Sequence, residues 1–171
     1  MIDSSTYKEA NLVPMLVSKI NSFIENEDLS NFFIDVGEYN VGRSINWKAI
    51  VLWDVTGNYN ISDDLKNAAS TVIDIAKMMP GLQRITVNFL GAMAVMPMHK
   101  DSEDYTSDYN MIIPVTDNGW FLLDGKVFKS SKDEQIVFDG CIPHGVMNDS
   151  FDERRSVYLL INKGRFDGCT E

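Results

Sequence analysis

The chain is poor in the residues that most often carry metal or redox chemistry: among 171 residues there are two histidines and two cysteines. Cys141 and Cys169 are too few for a disulfide scaffold, and no C-x-x-C spacing supports a zinc site. Positive charge is also scarce, with 15 Lys and Arg against 25 Asp and Glu and a net charge of −10. That balance argues against nucleic acid and anionic membranes as partners, since affinity for a phosphate backbone comes largely from cationic contacts. No apolar run approaches the roughly 20 residues that span a bilayer. Met1-Ile2-Asp3-Ser4-Ser5 shows no basic region followed by an apolar core, so no secretory signal is expected. The expectation is a soluble, cytoplasmic protein. With 44% hydrophobic residues, a single domain over 1–171 has enough apolar side chains for a proper core.

Helical periodicity is confined to the first half. Leu12, Val13, Leu16, Val17, Ile20, Phe23 and Ile24 recur at three- and four-residue steps, predicting an amphipathic helix with Asn11 as N-cap and Pro14 in the first turn. A second helix is predicted over Leu65 to Met79, with Ser62 as cap, Asp63 and Asp64 in the first turn and Pro80-Gly81 as stop. It would pack through Leu65, Ala69, Val72, Ile73 and Ala76. Elsewhere the runs are short and rich in β-branched and aromatic residues: Trp47 to Trp53, Ile85 to Leu90, Met111 to Val115, Trp120 to Leu123, Gln135 to Phe138 and Val157 to Ile161. Asp124-Gly125 between two apolar runs signals a tight hairpin ending at Phe128. This order predicts a mostly β protein with flanking helices, an antiparallel double-sheet barrel of the jelly-roll or cupin type. Helical support lies mainly within 11–80 and the barrel core over roughly 45–163. Lys100 to Tyr109, with four acidic residues, reads as an exposed loop at the barrel mouth.

The two histidines are placed suggestively. His99 opens a His-Lys-Asp triplet, and His144 follows the run Gln135-Ile-Val-Phe-Asp139-Gly140-Cys-Ile-Pro. Two imidazoles and the Asp101 carboxylate form the set that holds Fe(II) while leaving half of an octahedral site open. Arg154 and Arg155 then open the last apolar run, and an arginine there can clamp a dicarboxylate beside the metal.

With these residues the sequence, from about Trp47 to Ile161, resembles the aspartyl/asparaginyl β-hydroxylase-like, prolyl hydroxylase-like branch of the Fe(II)- and 2-oxoglutarate-dependent dioxygenases. The resemblance implies a double-stranded β-helix with His99, Asp101 and His144 as catalytic metal ligands inside one end, and Fe(II), 2-oxoglutarate and O2 as the reacting set. It also implies hydroxylation of an amino-acid-like or peptidyl C–H bond in a small-molecule or peptidyl substrate. The family's spacing favours Arg154 as the anchor for 2-oxoglutarate. Strand alternation favours Arg155, which shares a face with Val157, Leu159 and Ile161. Asn148 falls where the family often has an asparagine that steadies the ligand loop. Asn110 stands where related hydroxylases often carry a basic residue, so the substrate anchor is not identified. Retention of Asp101 favours hydroxylation over halogenation. Trp47, Trp53 and Trp120 read as core or barrel-lip packing, and Met78, Met79, Met93, Met96 and Met98 as gap-filling core. Specificity is expected from the N-terminal helices and from the loops Lys100 to Tyr109 and Val55 to Ile61. Alternatives are a cupin-like metal-binding module without turnover and a non-oxidative cupin using another divalent ion. Oligomeric state is open.

Overall fold

The structure, a computed structural model, describes residues 4–34, 46–101 and 108–162. Helix α1 (Ser4–Asn26) starts earlier than expected and carries Pro14 in its interior rather than near a cap at Asn11. A proline there costs about 3 kcal/mol. The stripe Val13, Leu16, Val17, Ile20, Phe23 and Ile24 is buried at roughly 1.5–3 kcal/mol for each large apolar side chain, which outweighs that cost. The second helical stretch is two helices, α2 (Asp63–Ala68) and α3 (Ser70–Lys77), divided at Ala69, whose φ and ψ are −95° and 18°. Ser62 caps α2 by accepting a hydrogen bond from the Leu65 N–H at 3.2 Å. The break shifts the phase of α3, so that Ile75 rather than Ile73 joins Val72 and Ala76 in the core.

The described residues form nine strands, β1 lying between α1 and α2 and the others after α3: β1 (Trp47–Asp54), β2 (Leu82–Leu90), β3 (Val95–His99), β4 (Asp108–Pro114), β5 (Trp120–Leu123), β6 (Lys126–Lys129), β7 (Ile136–Asp139), β8 (His144–Met147) and β9 (Arg154–Asn162). They form a five-stranded sheet in the order β1-β2-β9-β4-β7 and a four-stranded sheet in the order β3-β8-β5-β6. All strand pairs are antiparallel. Outside the hairpin β5–β6, the chain from β2 onward crosses to the opposite sheet at every step, the wrap of a double-stranded β-helix. The hairpin turns at Asp124 and Gly125, with φ of 48° and 74°, the primed-turn geometry its Asp-Gly sequence calls for.

The five-stranded sheet has two unlike faces. Ile85, Val87 and Phe89 of β2, Met111 and Ile113 of β4, and Val157, Leu159 and Ile161 of β9 pack with α1 and α3 in the larger apolar cluster. The inner face carries a smaller one, built from Leu90, Ala94, Ile112, Phe121, Phe138 and Val146, with Tyr158 and Trp47 against it. The helices expected to contribute specificity therefore cover the face away from the barrel interior. Met78, Met93 and Met98 are exposed rather than core, while Met79 is buried. Cys141 is an exposed thiol, and Cys169 lies outside the described residues. No helix among the described residues is long and apolar enough to cross a membrane.

A buried ion pair closes one end of the sheet. Arg84 Nε donates to Asp54 Oδ1 at 3.1 Å, with both side chains almost wholly enclosed. Burial alone would raise the Asp54 carboxyl. Hydrogen bonds from Thr56, the Tyr59 N–H and Arg84, together with the Arg84 charge, hold it below its ordinary value. These bonds also tie down the loop that follows β1.

Candidate metal centre and buried cation

His99 ends β3, His144 begins β8, and the two are register partners. Their imidazoles are consequently cross-strand neighbours, with ring centroids 4.4 Å apart. Each ring makes the same local contact: His99 Nδ1 lies 2.9 Å from the Pro97 carbonyl oxygen, and His144 Nδ1 lies 2.9 Å from that of Ile142. A carbonyl can only accept, so Nδ1 carries the proton in both rings and Nε2 keeps the lone pair that a metal needs.

Asp101 is the first residue beyond a one-residue link after β3, and its N–H donates to the Gly140 carbonyl at 3.1 Å. Its Oδ1 lies 3.6 Å from His144 Nε2. One ligand atom from each of His99, Asp101 and His144 falls within 4.8 Å of the others, so a small inward rotation of the side chains brings all three to the roughly 2.1 Å donor distances of a single ion. Phe138 and Phe121 border the His144 ring, with centroids at 4.7 and 6.5 Å. The donor set therefore fits a divalent cation held on one face. The expected mouth loop is described only at its ends, since 102–107 lie outside the described residues; Tyr109 belongs to β4.

The Asp101 carboxylate is held from behind. Its Oδ2 accepts hydrogen bonds from the Asn110 amide and from the Tyr158 hydroxyl, the latter at 3.1 Å. Neither residue was expected in this role. Tyr158 had a visible signal, because Arg154, Ser156 and Tyr158 form a polar stripe at alternate positions of an otherwise apolar strand. Asn110 was singled out only as standing where related hydroxylases often carry a basic residue, which points to a substrate anchor and not to a contact with Asp101.

The two arginines diverge. Arg154 is 2% exposed, donates from Nη2 to Ser130 Oγ at 3.0 Å and from Nη1 to Ser156 Oγ at 3.4 Å, and leaves Nε buried without an acceptor. No carboxylate among the described residues reaches it. Burial pulls its guanidinium down to about 10. Gly119 makes room for it: a Cβ there would lie 2.7 Å from Arg154 Cδ and 2.4 Å from the Met147 carbonyl. Arg155 points to the helix side, with its guanidinium 6.0 Å from the Phe89 ring and its Nε 3.0 Å from Glu153 Oε1 in a solvent-exposed pair. The alternation argument for Arg155 assumed that the apolar face of β9 lines the barrel. That face packs on the helices instead.

Asn148 is 1% exposed and binds together the segments around β8. Its amide donates to the carbonyls of Leu90, Gly91 and Asp152, at 3.1, 2.8 and 2.8 Å, and its oxygen accepts from Asn118 and Ser150. Of the tryptophans, Trp47 packs against the inner cluster and Trp53 against the helix-side one.

No protein-family profile and no curated protein matches the chain. Solved structures do. An oxidoreductase of the 2OG-Fe(II) oxygenase family from Burkholderia pseudomallei superposes with a TM-score of 0.59 at 15% identity, over 86% of this chain and 77% of that one. A cupin-2 domain protein from Rhodospirillum rubrum gives 0.48 at 7% identity over 70% and 62% of the two chains. A predicted oxalate decarboxylase from Thermotoga maritima gives 0.46 at 13% identity over 68% and 80%. At 15% identity the likeness to the first of these is one of fold, and it agrees with the strand order: the chain is a mostly β, jelly-roll protein with a His-Asp-His cluster that could bind a metal.

Proposed function

We propose that the protein is an Fe(II)- and 2-oxoglutarate-dependent oxygenase, of the aspartyl/asparaginyl hydroxylase-like kind, acting on an amino-acid-like or peptidyl C–H bond. The observation that carries this reading is the pairing, on one barrel interior, of a metal-competent triad with a buried guanidinium that has no counter-charge among the described residues. A metal-binding cupin needs the triad alone. Arg154 and Tyr158 share a face of β9 about 13 Å apart along the strand, and Tyr158 touches Asp101. The arginine side chain and a five-carbon diacid would divide that distance.

In this reading His99, Asp101 and His144 would hold the ion. A bound ferrous ion supplies the centre at which 2-oxoglutarate and O2 are converted to succinate and CO2 while one oxygen atom enters the substrate as a hydroxyl. Arg154, with the Ser130 and Ser156 hydroxyls, holds the distal carboxylate, and the buried setting makes that contact stronger than it would be in water. Phe121 and Phe138 limit water around His144. The substrate, a small molecule or a peptide side chain, is bordered by the loop after β1. Arg84 and Asn110 both pair with Leu160, which puts the Asp54–Arg84 pair and the loop it anchors in the same cross-strand row as Asn110.

The test is an anaerobic titration of the Fe(II)-loaded protein with 2-oxoglutarate, watching for the weak visible metal-to-ligand charge-transfer band. The band is expected in the wild type and not in His144→Ala. Its absence from folded, iron-loaded wild type would leave a cupin-type metal-binding protein without oxygenase chemistry.

A further inference from the structure

We infer that Asn110, Tyr158 and Gly140 form a cradle that commits Asp101 to bind a metal through one oxygen only. The inference rests on the metal-centre part of the proposed function but on neither 2-oxoglutarate nor turnover. Three observations converge on the outer oxygen, Oδ2. Two donors reach it, the Asn110 amide from β4 and the Tyr158 hydroxyl from β9. A carboxylate oxygen has two lone pairs, so both are taken, and only Oδ1, the oxygen nearer His144 Nε2, is left to ligate.

The second observation is the condition of Asn110 itself. It is fully enclosed, and its Oδ1 has no hydrogen-bond partner. A buried acceptor left unsatisfied is unfavourable. A leucine of similar shape would avoid it, which identifies the N–H donor as the reason for an amide here. The third is Gly140. A Cβ on Gly140 would lie 3.0 Å from Asp101 Oδ2 and 3.1 Å from Asn110 Nδ2, so a side chain there would press the carboxylate and the amide out of place by a few tenths of an ångström. The Gly140 carbonyl meanwhile accepts from the Asp101 N–H. Backbone and carboxylate are thus fixed by the same turn.

Asn110 and Tyr158 are positioning residues in this account. Holding Oδ2 in these hydrogen bonds would leave Asp101 a single oxygen to offer a bound ion. Without the two donors the carboxylate can rotate and offer both oxygens.

The test uses the full metal-free chain and Co(II), whose visible absorption reports coordination directly. Wild type is expected to bind Co(II). Tyr158→Phe, which removes one hydroxyl and little volume, is expected to bind about 10-fold more weakly, within the 10–100-fold range of outer contacts to metal ligands, and with an altered band intensity. Asn110→Leu and Gly140→Ala should move both readouts in the same direction. Far-UV circular dichroism of each metal-free variant separates this from misfolding, and Tyr158→Phe keeps the test valid if Asn110→Leu fails to fold. Wild-type affinity and spectrum in folded Tyr158→Phe and Gly140→Ala would overturn the cradle while leaving the metal centre intact. Failure of the wild type to bind Co(II) would overturn the metal centre and the cradle together.

Discussion

The two faces of β9 are built to opposite rules. Val157, Leu159 and Ile161 meet the helices in the larger apolar cluster, whereas Arg154, Ser156 and Tyr158 turn inward to a guanidinium–hydroxyl group and to the Asp101 carboxylate. One strand thus provides scaffold on one side and chemistry on the other, with a period of two. The lesson is that in this barrel the apolar face marks the outside wall of the site. Polarity on an otherwise apolar strand marks the interior.

Substitutions can break this contrast in decreasing order of effect. Asp101→Ala removes the anionic ligand and is expected to abolish hydroxylation and to weaken Fe(II) or Co(II) by more than the roughly 10–100-fold seen for outer contacts; full activity without added carboxylate would remove the triad from consideration. Arg154→Met should weaken 2-oxoglutarate at least about 30-fold, the ratio given by about 2 kcal/mol for truncating a buried charged partner, while metal affinity is kept. The same change is expected to raise the melting temperature of the ligand-free protein, since it deletes a buried charge with no ionic partner among the described residues. A loss of stability would instead make Arg154 structural. Leu159→Ala, on the opposite face, should cost about 2–5 kcal/mol in denaturant unfolding, with metal affinity of the folded protein unchanged. Arg155→Ala should shift stability by less than about 1 kcal/mol and leave 2-oxoglutarate affinity at the wild-type level. If Arg155 proved as important as Arg154, the division of the strand into two faces would be wrong.

Much of the fold was legible in the sequence where local chemistry decides the outcome. Ser62 caps α2, Asp124-Gly125 turns the hairpin, and the β-branched and aromatic runs become strands, all in the larger sheet except Trp120 to Leu123, which is β5 of the smaller one. The strands that present the histidines were not legible. β3 is Val95-Met-Pro-Met-His, interrupted by Pro97, and β8 is four residues with Gly145 inside; neither carries the β-branched run that signals a strand, and both form because the sheet supplies partners, β8 lying between β3 and β5. Gly145 is needed there: a Cβ would lie 2.9 Å from the Met96 carbonyl across the pair. The choice between the arginines could not be made from alternation alone, because which face of β9 is covered depends on where the helices pack. The contacts of Asn110 and Tyr158 with Asp101 depend on the register of β4 against β9, and local patterns carry no information about it.

The register of His99 against His144 has a consequence for the chain as a polymer. The two residues bracket everything from β4 to β7, so an ion shared between them would close that whole span into a loop, as a cross-link does. Closing a loop in the unfolded chain costs entropy that grows slowly with its length, and a link that survives only in the folded state favours that state accordingly. A ligand set arranged for reactivity would by the same geometry act as a clasp on the thinner of the two sheets.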